Sequence, residues 1–303
     1  MTILRYGMAS TATHTALTQH PRDWEDFAYV YPVVSRRSHG LSIGINLQPS
    51  GACNFDCVYC CVDRTGGVKP DHVDTARLRR ELDHLLSLAA TGAIWQDPRF
   101  RDVDHGYRRL NDIAFSGNGE PSVSPAFPEA VAVAVDARAR AGFDAEPNRA
   151  KLVVITNATR LDRPRVAAAL DRLDQAGGFE PWVKLDAGTE DYYRLIDRSN
   201  VPFDRVLSSI HAFGRRHPLV VQTMLCRMHG QPMPDGEFDA YLDRLVALRD
   251  AGVRITAVHL YTVARQTAVP VVTPCTAGEL DHFAGRVRGR LPTTRVQTFP
   301  APC

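Results

Sequence analysis

The 303-residue sequence predicts an α/β protein built around a parallel β-sheet. Six apolar segments of strand length alternate with amphipathic helical segments between about residues 41 and 262. Because only crossover helices can join parallel strands, this alternation favours a parallel sheet. Six units are too few to close an eight-stranded barrel, so we expect either an open, partial barrel or a doubly wound sheet.

The clearest strand is Lys151–Thr156, a continuous apolar run that reads as buried on both faces. Helix 74–90 carries leucines at helical spacing. The predicted strands are residues 42–47, 112–116, 151–156, 182–185, 219–225 and 254–261, and the predicted helices are 74–90, 125–141, 163–176, 203–213, 237–251 and 279–290.

Three regions are expected along the chain. Residues 1–38 are polar and show no clean period, which predicts an N-terminal extension packed across the main domain. Residues 39–263 form the core barrel. Residues 264–303 form a C-terminal extension, of which 292–303 adds an edge strand or a tail.

Composition indicates a soluble globular protein, with 44% hydrophobic and 23% charged residues. The sequence contains no run of 18 apolar residues that would predict a membrane span, and its N-terminus lacks the pattern of a secretory signal. A cytoplasmic location without membrane partners is therefore expected. A net charge of +2 gives no strong nucleic-acid footprint. Arg286, Arg288 and Arg290 are the densest basic stretch; a solvated helix face is favoured, and contact with a phosphate-bearing substrate is the alternative.

Three of the seven cysteines, Cys53, Cys57 and Cys60, lie within eight residues directly after strand 42–47. A disulfide framework would space cysteines more widely, so a metal site in a reducing compartment is the better interpretation. Thiolates on a short loop can hold iron or zinc. Three thiolates leave a four-iron cluster one ligand short, and an iron without a protein ligand can bind a small molecule.

Other polar features follow later strands. A Gly-Asn-Gly-Glu turn (117–120) comes after the second strand, Asn157 after the third and Asp186 after the fourth. The carboxyl ends of parallel strands meet at one edge of a sheet, where α/β proteins bind ligands. We therefore expect these residues and the cysteines to lie on one rim.

The spacing Cys-x3-Cys-x2-Cys, with Tyr59 before the last cysteine, is similar to the signature of radical S-adenosylmethionine (radical SAM) enzymes, and the resemblance spans about residues 41–262. It implies a partial (β/α)6 TIM-type barrel with helices outside. It also implies a [4Fe–4S] cluster held by Cys53, Cys57 and Cys60. The implied activity is reductive cleavage of S-adenosylmethionine (SAM), giving a 5′-deoxyadenosyl radical that abstracts hydrogen from an unidentified substrate.

The resemblance also implies cofactor contacts. The turn 117–120 looks like the family's Gly-Gly-Glu motif, with Glu120 accepting from the methionyl ammonium and Asn118 departing from the pattern. Polar residues at strand ends can equally cap the following helix. His259 and Tyr261 are candidates to border the adenine. The implied cofactor-binding residues are Tyr59, Gly117, Asn118, Gly119, Glu120, Asn157 (with Thr156), Lys184 and Asp186.

The remaining cysteines give no second cluster. Cys61 adjoins Cys60 and is expected to point away from the metal. Cys226 is the catalytic candidate as a substrate-facing thiol, although a small core residue is the commoner role of a free cysteine. Cys275 and Cys303 are isolated in the sequence.

Five segments look like the branch of 4-demethylwyosine synthase-like proteins, which modify a guanosine in tRNA: 54–60, 115–121, 155–158, 183–188 and 221–224. The further cysteines and the reactive lysine of that branch are not matched, since lysine occurs only at positions 69, 151 and 184. The expected partners are a flavodoxin- or ferredoxin-type one-electron reductant and a small-molecule or peptide substrate, with tRNA as the alternative. Non-catalytic alternatives are a zinc-stabilised binding module and a simple electron carrier.

Overall fold

The computed structural model describes residues 11–18, 22–62, 64 and 71–301, so Cys303 lies outside the described residues. The strands are β1 (Val30–Ser35), β2 (Gly40–Ile45), β3 (Leu110–Phe115), β4 (Lys151–Thr156), β5 (Phe179–Lys184), β6 (Leu219–Met224), β7 (Cys226–Met228), β8 (Ile255–Tyr261), β9 (Val272–Pro274) and β10 (Arg295–Phe299). The helices are α1 (Thr11–Thr18), α2 (Thr75–Thr91), α3 (Phe127–Arg140), α4 (Pro164–Gln175), α5 (Glu190–Ile196), α6 (Phe203–Gly214), α7 (Asp235–Asp250) and α8 (Ala277–Arg290).

The main sheet has eight strands in the order β1-β2-β3-β4-β5-β6-β8-β10. The six predicted strands are β2, β3, β4, β5, β6 and β8, and all of them pair in parallel. Their spatial order follows their chain order, whereas a doubly wound sheet reverses its order at a switch point. The predicted partial barrel is therefore confirmed, as an open sheet curled into a half-barrel.

Both ends of the sheet gain an edge strand from the predicted extensions. At one edge, β1 pairs antiparallel with β2; this strand was not predicted, and its Pro32 is tolerated because an edge strand needs fewer backbone donors. At the other edge β10 pairs in parallel with β8, as the edge-strand alternative for residues 292–303 anticipated. The short helix α5 and the two-stranded ribbon of β7 and β9 were also missed.

Helix α2 shows how local sequence sets the elements. Asp74 caps its start by accepting from the N–H groups of Ala76 and Arg77, and Gly92 ends it at φ 75°. Buried Glu81 accepts from three backbone N–H groups at the start of β1, at 2.8–3.2 Å, and thereby fixes the N-terminal segment to the core. No helix of the described segments is long and apolar enough to cross a bilayer.

The two faces of the sheet have different roles. Side chains such as Phe115, Val154 and Val221 belong to the main core cluster on the helix-covered face, and burying each contributes about 1.5–3 kcal/mol. The concave face carries a separate small cluster, composed of Ala114, Val153, Trp182, Val220 and Ala257. This cluster is too small to fill the half-barrel and leaves an internal cavity above it.

Candidate active site

A cavity of about 290 Å³ opens at the carboxyl ends of the strands, at the lower end of the size range of ligand sites. It brings together all three predicted cluster ligands and seven of the eight predicted cofactor-binding residues. They are Cys53, Cys57 and Cys60, with Tyr59, Gly117, Asn118, Gly119, Glu120, Asn157 and Lys184. The expected meeting of these loops at one rim is what the structure shows.

The cysteine loop presents three free, partly buried thiols to this cavity. The N–H of Phe55 points at Cys53 Sγ at 3.5 Å, and the N–H of Val62 points at Cys60 Sγ at 3.4 Å. Cys57 donates its thiol proton to Asp197 Oδ1 at 3.2 Å. Backbone donors aimed at sulfur stabilise thiolates and tune iron–sulfur clusters, so this donor set fits a cluster.

A cation lies beside the loop. Arg64 places its guanidinium 2.9 Å from Cys60 Sγ and also donates to the carbonyl oxygens of Gly51 and Asn118. Burial raises the pKa of Cys53 and Cys57, so both are protonated until a metal displaces the proton. No three His, Cys, Asp or Glu side chains of the described residues converge as ligands of a single ion. A cluster needs no such convergence, because each thiolate binds a different iron.

The turn 117–120 packs directly on the cysteine loop. Gly117 has φ 141°, and a Cβ there would collide with the Asn46 side chain. A Cβ on Gly119 would overlap the Ala52 carbonyl oxygen, next to Cys53. Both glycines are therefore required for the two loops to meet.

Asn118, which departs from the expected Gly-Gly pair, has a structural task. Its side-chain amide donates to the Pro49 carbonyl at 2.8 Å and accepts from Arg22, and its own backbone N–H donates to Asn46 Oδ1 at 3.2 Å. The side chain thus ties the turn to the chain leaving β2.

Glu120 is 4% exposed and accepts four hydrogen bonds within the protein. Its Oε1 accepts from Ser122 N (3.1 Å), Ser122 Oγ (2.5 Å) and Thr156 Oγ1 (2.8 Å), and its Oε2 accepts from Asn157 N (2.7 Å). Burial raises the pKa of Glu120, and these donors offset part of that rise. The carboxylate therefore braces the turn against the end of β4, in addition to lining the cavity.

Asn157 performs a similar bracing role from the end of β4. Its Nδ2 donates to Asn54 Oδ1 at 2.8 Å and lies 4.0 Å from Cys53 Sγ, while its Oδ1 accepts from Thr159. The carboxyl end of β4 is thereby fixed to the cysteine loop.

Lys184 and Asp186 form a buried ion pair of 3.0 Å at the end of β5. Asp186 Oδ2 also lies 2.5 Å from the Tyr59 hydroxyl, which is 3.1 Å from Asp197 Oδ1. Burial and the neighbouring Asp186 carboxylate raise the pKa of Asp197 to about 8. Lys184 Nζ further donates to the Tyr261 hydroxyl at 3.0 Å, so this network joins β5, β8 and the cysteine loop.

Some predicted residues lie elsewhere. Asp186 is behind Tyr59 and Lys184 and does not line the cavity. Cys226 is 2% exposed in an apolar cluster with Val58 and Met224, and burial raises its pKa to about 12; the substrate-facing interpretation is therefore wrong for this structure. Cys275 is buried, while exposed Cys61 borders the cavity opening.

His259 is also displaced from its expected place. Its side chain lies at the opposite end of the half-barrel, 3.0 Å from Gln297 Oε1, whereas Tyr261 does border the upper cavity. The two residues are two positions apart on β8, so their side chains point to the same face of the sheet but lie at different depths in the half-barrel.

Sequence reasoning missed Arg37, Trp182 and Asp112, which line the deeper part of the cavity. Trp182 and Asp112 occur at predicted strand starts, where no ligand was expected. Arg37 lies in the turn between β1 and β2. The valine-rich run Val30–Ser35 before it is typical of a strand and could have indicated β1, and with it the turn that carries Arg37.

A model of the Radical SAM superfamily matches residues 47–232, from the end of β2 through the ribbon strand β7. The chain belongs to this superfamily. A curated protein of Methanocaldococcus jannaschii, the UPF0026 protein MJ1312, is 27% identical over 203 residues, covering 64% of this chain and 52% of the relative. The matched region thus spans about half the length of that relative.

Solved structures show the same fold at low identity. Streptococcus suis SuiB bound to its precursor peptide SuiA has a TM-score of 0.56 at 11% identity, over 84% of this chain and 48% of SuiB. A TYW1 structure with a lysine–pyruvate adduct has a TM-score of 0.50 at 14% identity, over 82% of this chain and 73% of TYW1. Superfamily membership implies a [4Fe–4S] cluster and SAM.

Proposed function

We propose that this protein is a radical SAM enzyme in which Cys53, Cys57 and Cys60 hold a [4Fe–4S] cluster and SAM binds in the adjoining cavity. The observation that carries the proposal is that three free thiols share one cavity with the turn 117–120, and that backbone N–H groups point at the sulfurs of two of them, Cys53 and Cys60. The proposed core barrel (39–263) supplies most of this cavity, and the described parts of the flanking segments supply the edge strands β1 and β10 and a few lining residues such as Arg37 and Arg265.

When bound, the reduced cluster and SAM together supply a 5′-deoxyadenosyl radical for hydrogen abstraction. The chain's own residues position the loops of the site and bind the cofactor. Glu120 and Asn157 hold the turn and the end of β4 against the cysteine loop, as their hydrogen bonds indicate. Lys184 offers a cation to a carboxylate or ribose oxygen, and Tyr59 closes the wall beside it.

The test is anoxic reconstitution with iron and sulfide, followed by reduction in the presence of SAM. Wild-type protein should bind close to four irons per chain and release 5′-deoxyadenosine. Cys57→Ala should lose both, because two thiolates do not retain the cluster. The matched control is Cys61→Ala, which removes the neighbouring exposed thiol and should keep iron content and cleavage.

Two results would contradict the proposal. One is stoichiometric zinc in anoxically purified protein with no iron after reconstitution, which would favour the zinc-stabilised module. The other is equal cluster content in the Cys57 and Cys61 variants.

A one-electron reductant of flavodoxin or ferredoxin type and a small-molecule or peptide substrate complete the proposal. The tRNA alternative loses support from the basic C-terminal segment, because two of the three arginines in its densest stretch are paired with aspartates. Arg286 contacts Asp235 and Asp239 at 2.6 and 2.5 Å, and Arg290 contacts Asp243 at 2.5 Å. Steeply salt-dependent tRNA binding would restore that alternative.

A further inference from the structure

Four residues form a boundary inside the half-barrel, and we call them the deep subsite: Arg37, Ser38, Asp112 and Trp182. They line the floor of the upper cavity and also a second cavity of about 270 Å³ at the amino ends of the strands. On β5, Trp182 lies two residues before Lys184, which places it about 7 Å deeper along the strand. The deep subsite is therefore separate from the rim residues proposed to hold the cofactors.

Arg37 is held in a defined position. Its guanidinium carbon lies 5.1 Å from the ring centres of both Trp182 and Tyr261, a cation–π arrangement on two aromatic faces. Its Nη1 donates to Gln222 Oε1 at 2.7 Å, the one hydrogen bond that the guanidinium makes to the described residues. The remaining donors of its planar fork are left for another group.

A chain of amides supports this position from below. Gln222 is fully buried, with its Nε2 3.4 Å from His259 Nδ1, and His259 Nε2 is 3.0 Å from Gln297 Oε1. Burial lowers the pKa of His259 to about 4, so the ring is neutral and adds no charge beside Arg37. Gln222 is thus oriented with its oxygen towards the guanidinium.

Arg37 forms no salt bridge within the described part of the chain. Asp112 interacts with its charge only at longer range, and Arg265, at the cavity wall, adds positive potential. Asp112 is the acidic member of the deep subsite; its Oδ1 accepts from Ser42 Oγ, and its Oδ2 has no hydrogen bond of ordinary geometry among the described residues. Burial raises the pKa of Asp112, and the hydroxyl groups of Ser42 and Ser38 beside it offset part of that rise.

A buried cation without a directly paired anion is costly, and a guanidinium fork matches two oxygens of a carboxylate or phosphate. We infer that the deep subsite binds an anionic group, and that the substrate of the proposed radical reaction carries a carboxylate or phosphate that pairs with Arg37. This inference rests on the proposed function, because the bound anion is a substrate only if the protein catalyses the proposed radical reaction. The free Asp112 oxygen would accept from a donor group on the same molecule.

The experiment measures thermal stability of the reconstituted protein, kept anoxic in Tris at constant ionic strength. The probes are succinate and inorganic phosphate, and succinamide is the uncharged counterpart of succinate. Apparent Kd values come from the concentration dependence of Tm. The variants are Arg37→Gln and the matched control Arg36→Gln, which removes the same charge one residue earlier from a side chain that donates to the Pro300 carbonyl instead.

Wild-type protein and Arg36→Gln should be stabilised by succinate or phosphate and not by succinamide, and the stronger of the two anions identifies the group. Arg37→Gln should raise that apparent Kd at least tenfold. If this variant melts too early for titration, Arg37→Lys, which keeps the charge but loses the fork, should raise it at least threefold.

Absence of anion stabilisation in the wild type, or equal Kd values in the Arg36 and Arg37 variants, would overturn the inference. The inference would also be overturned if Arg37→Gln lost SAM affinity tenfold and SAM displaced succinate from the wild type. Arg37 would then bind the cofactor and not the substrate. Anion binding is measured without SAM cleavage, so failure of cleavage with intact anion binding would overturn the proposed function alone.

Discussion

Replacing Glu120 by glutamine separates a bracing role from direct cofactor binding. Both carboxylate oxygens accept from a backbone N–H, Oε1 from Ser122 and Oε2 from Asn157. Either orientation of the glutamine amide therefore turns an NH₂ group towards one of these buried donors. Leaving one such donor unpaired costs about 1–3 kcal/mol.

The expected loss can be measured by urea unfolding of anoxically purified protein. For a domain of this size an m-value of about 3 kcal/mol/M converts the loss into a midpoint shift of about 0.3–1 M. SAM affinity should fall as well, because the turn 117–120 loses its brace. The control is Glu129→Gln, a half-exposed side chain paired with Arg165 at 2.9 Å, whose loss should cost at most about 1 kcal/mol.

An unchanged unfolding midpoint in Glu120→Gln, combined with loss of SAM binding, would refute the bracing argument. The carboxylate would then act on the cofactor directly, as the sequence motif implied.

Two further predictions concern the same half-barrel. His259 is buried, and burial lowers its pKa to about 4, against 6.5 in the unfolded chain. The unfolded chain therefore binds the proton first, and the folded protein should lose stability as the pH falls from 6.5 to 4. Between pH 7.5 and 5.5 the wild type should lose about 1 kcal/mol more than His259→Gln in urea unfolding, and parallel profiles would contradict the assignment. Gly119→Ala should lower iron retention on reconstitution, because its Cβ displaces the Ala52 carbonyl and with it the cysteine loop; Gly106→Ala, with open space around its Cβ, is the control and should retain iron like the wild type.

Much of the site was predictable because its signals are local. The spacing of Cys53, Cys57 and Cys60 is fixed within eight residues, and the turn 117–120 carries its own glycines. Strand Lys151–Thr156 was located to the residue, since a continuous apolar run has only one way to be buried in a parallel sheet. The alternation of strands and helices then placed these loops at one edge.

Other features depended on which distant segments meet. Nothing in the sequence around Glu120 says that its carboxylate is used by Ser122, Thr156 and Asn157. The pairing of Arg286 and Arg290 with aspartates of α7 likewise required the packing of two helices. Periodicity reports which face of an element is buried, but not what lies opposite that face.

The sequence alone determined the superfamily and the parallel order of the strands, and it supplied the three cysteines proposed as cluster ligands, because each depends on residue types at short spacing. Only the tertiary structure decided that Cys226 is packed in an apolar cluster and that Arg37, from outside the predicted core, enters the half-barrel between Trp182 and Tyr261. The physical reason is the curl of the sheet, which brings the edge turn between β1 and β2 over strands that are far from it in the chain.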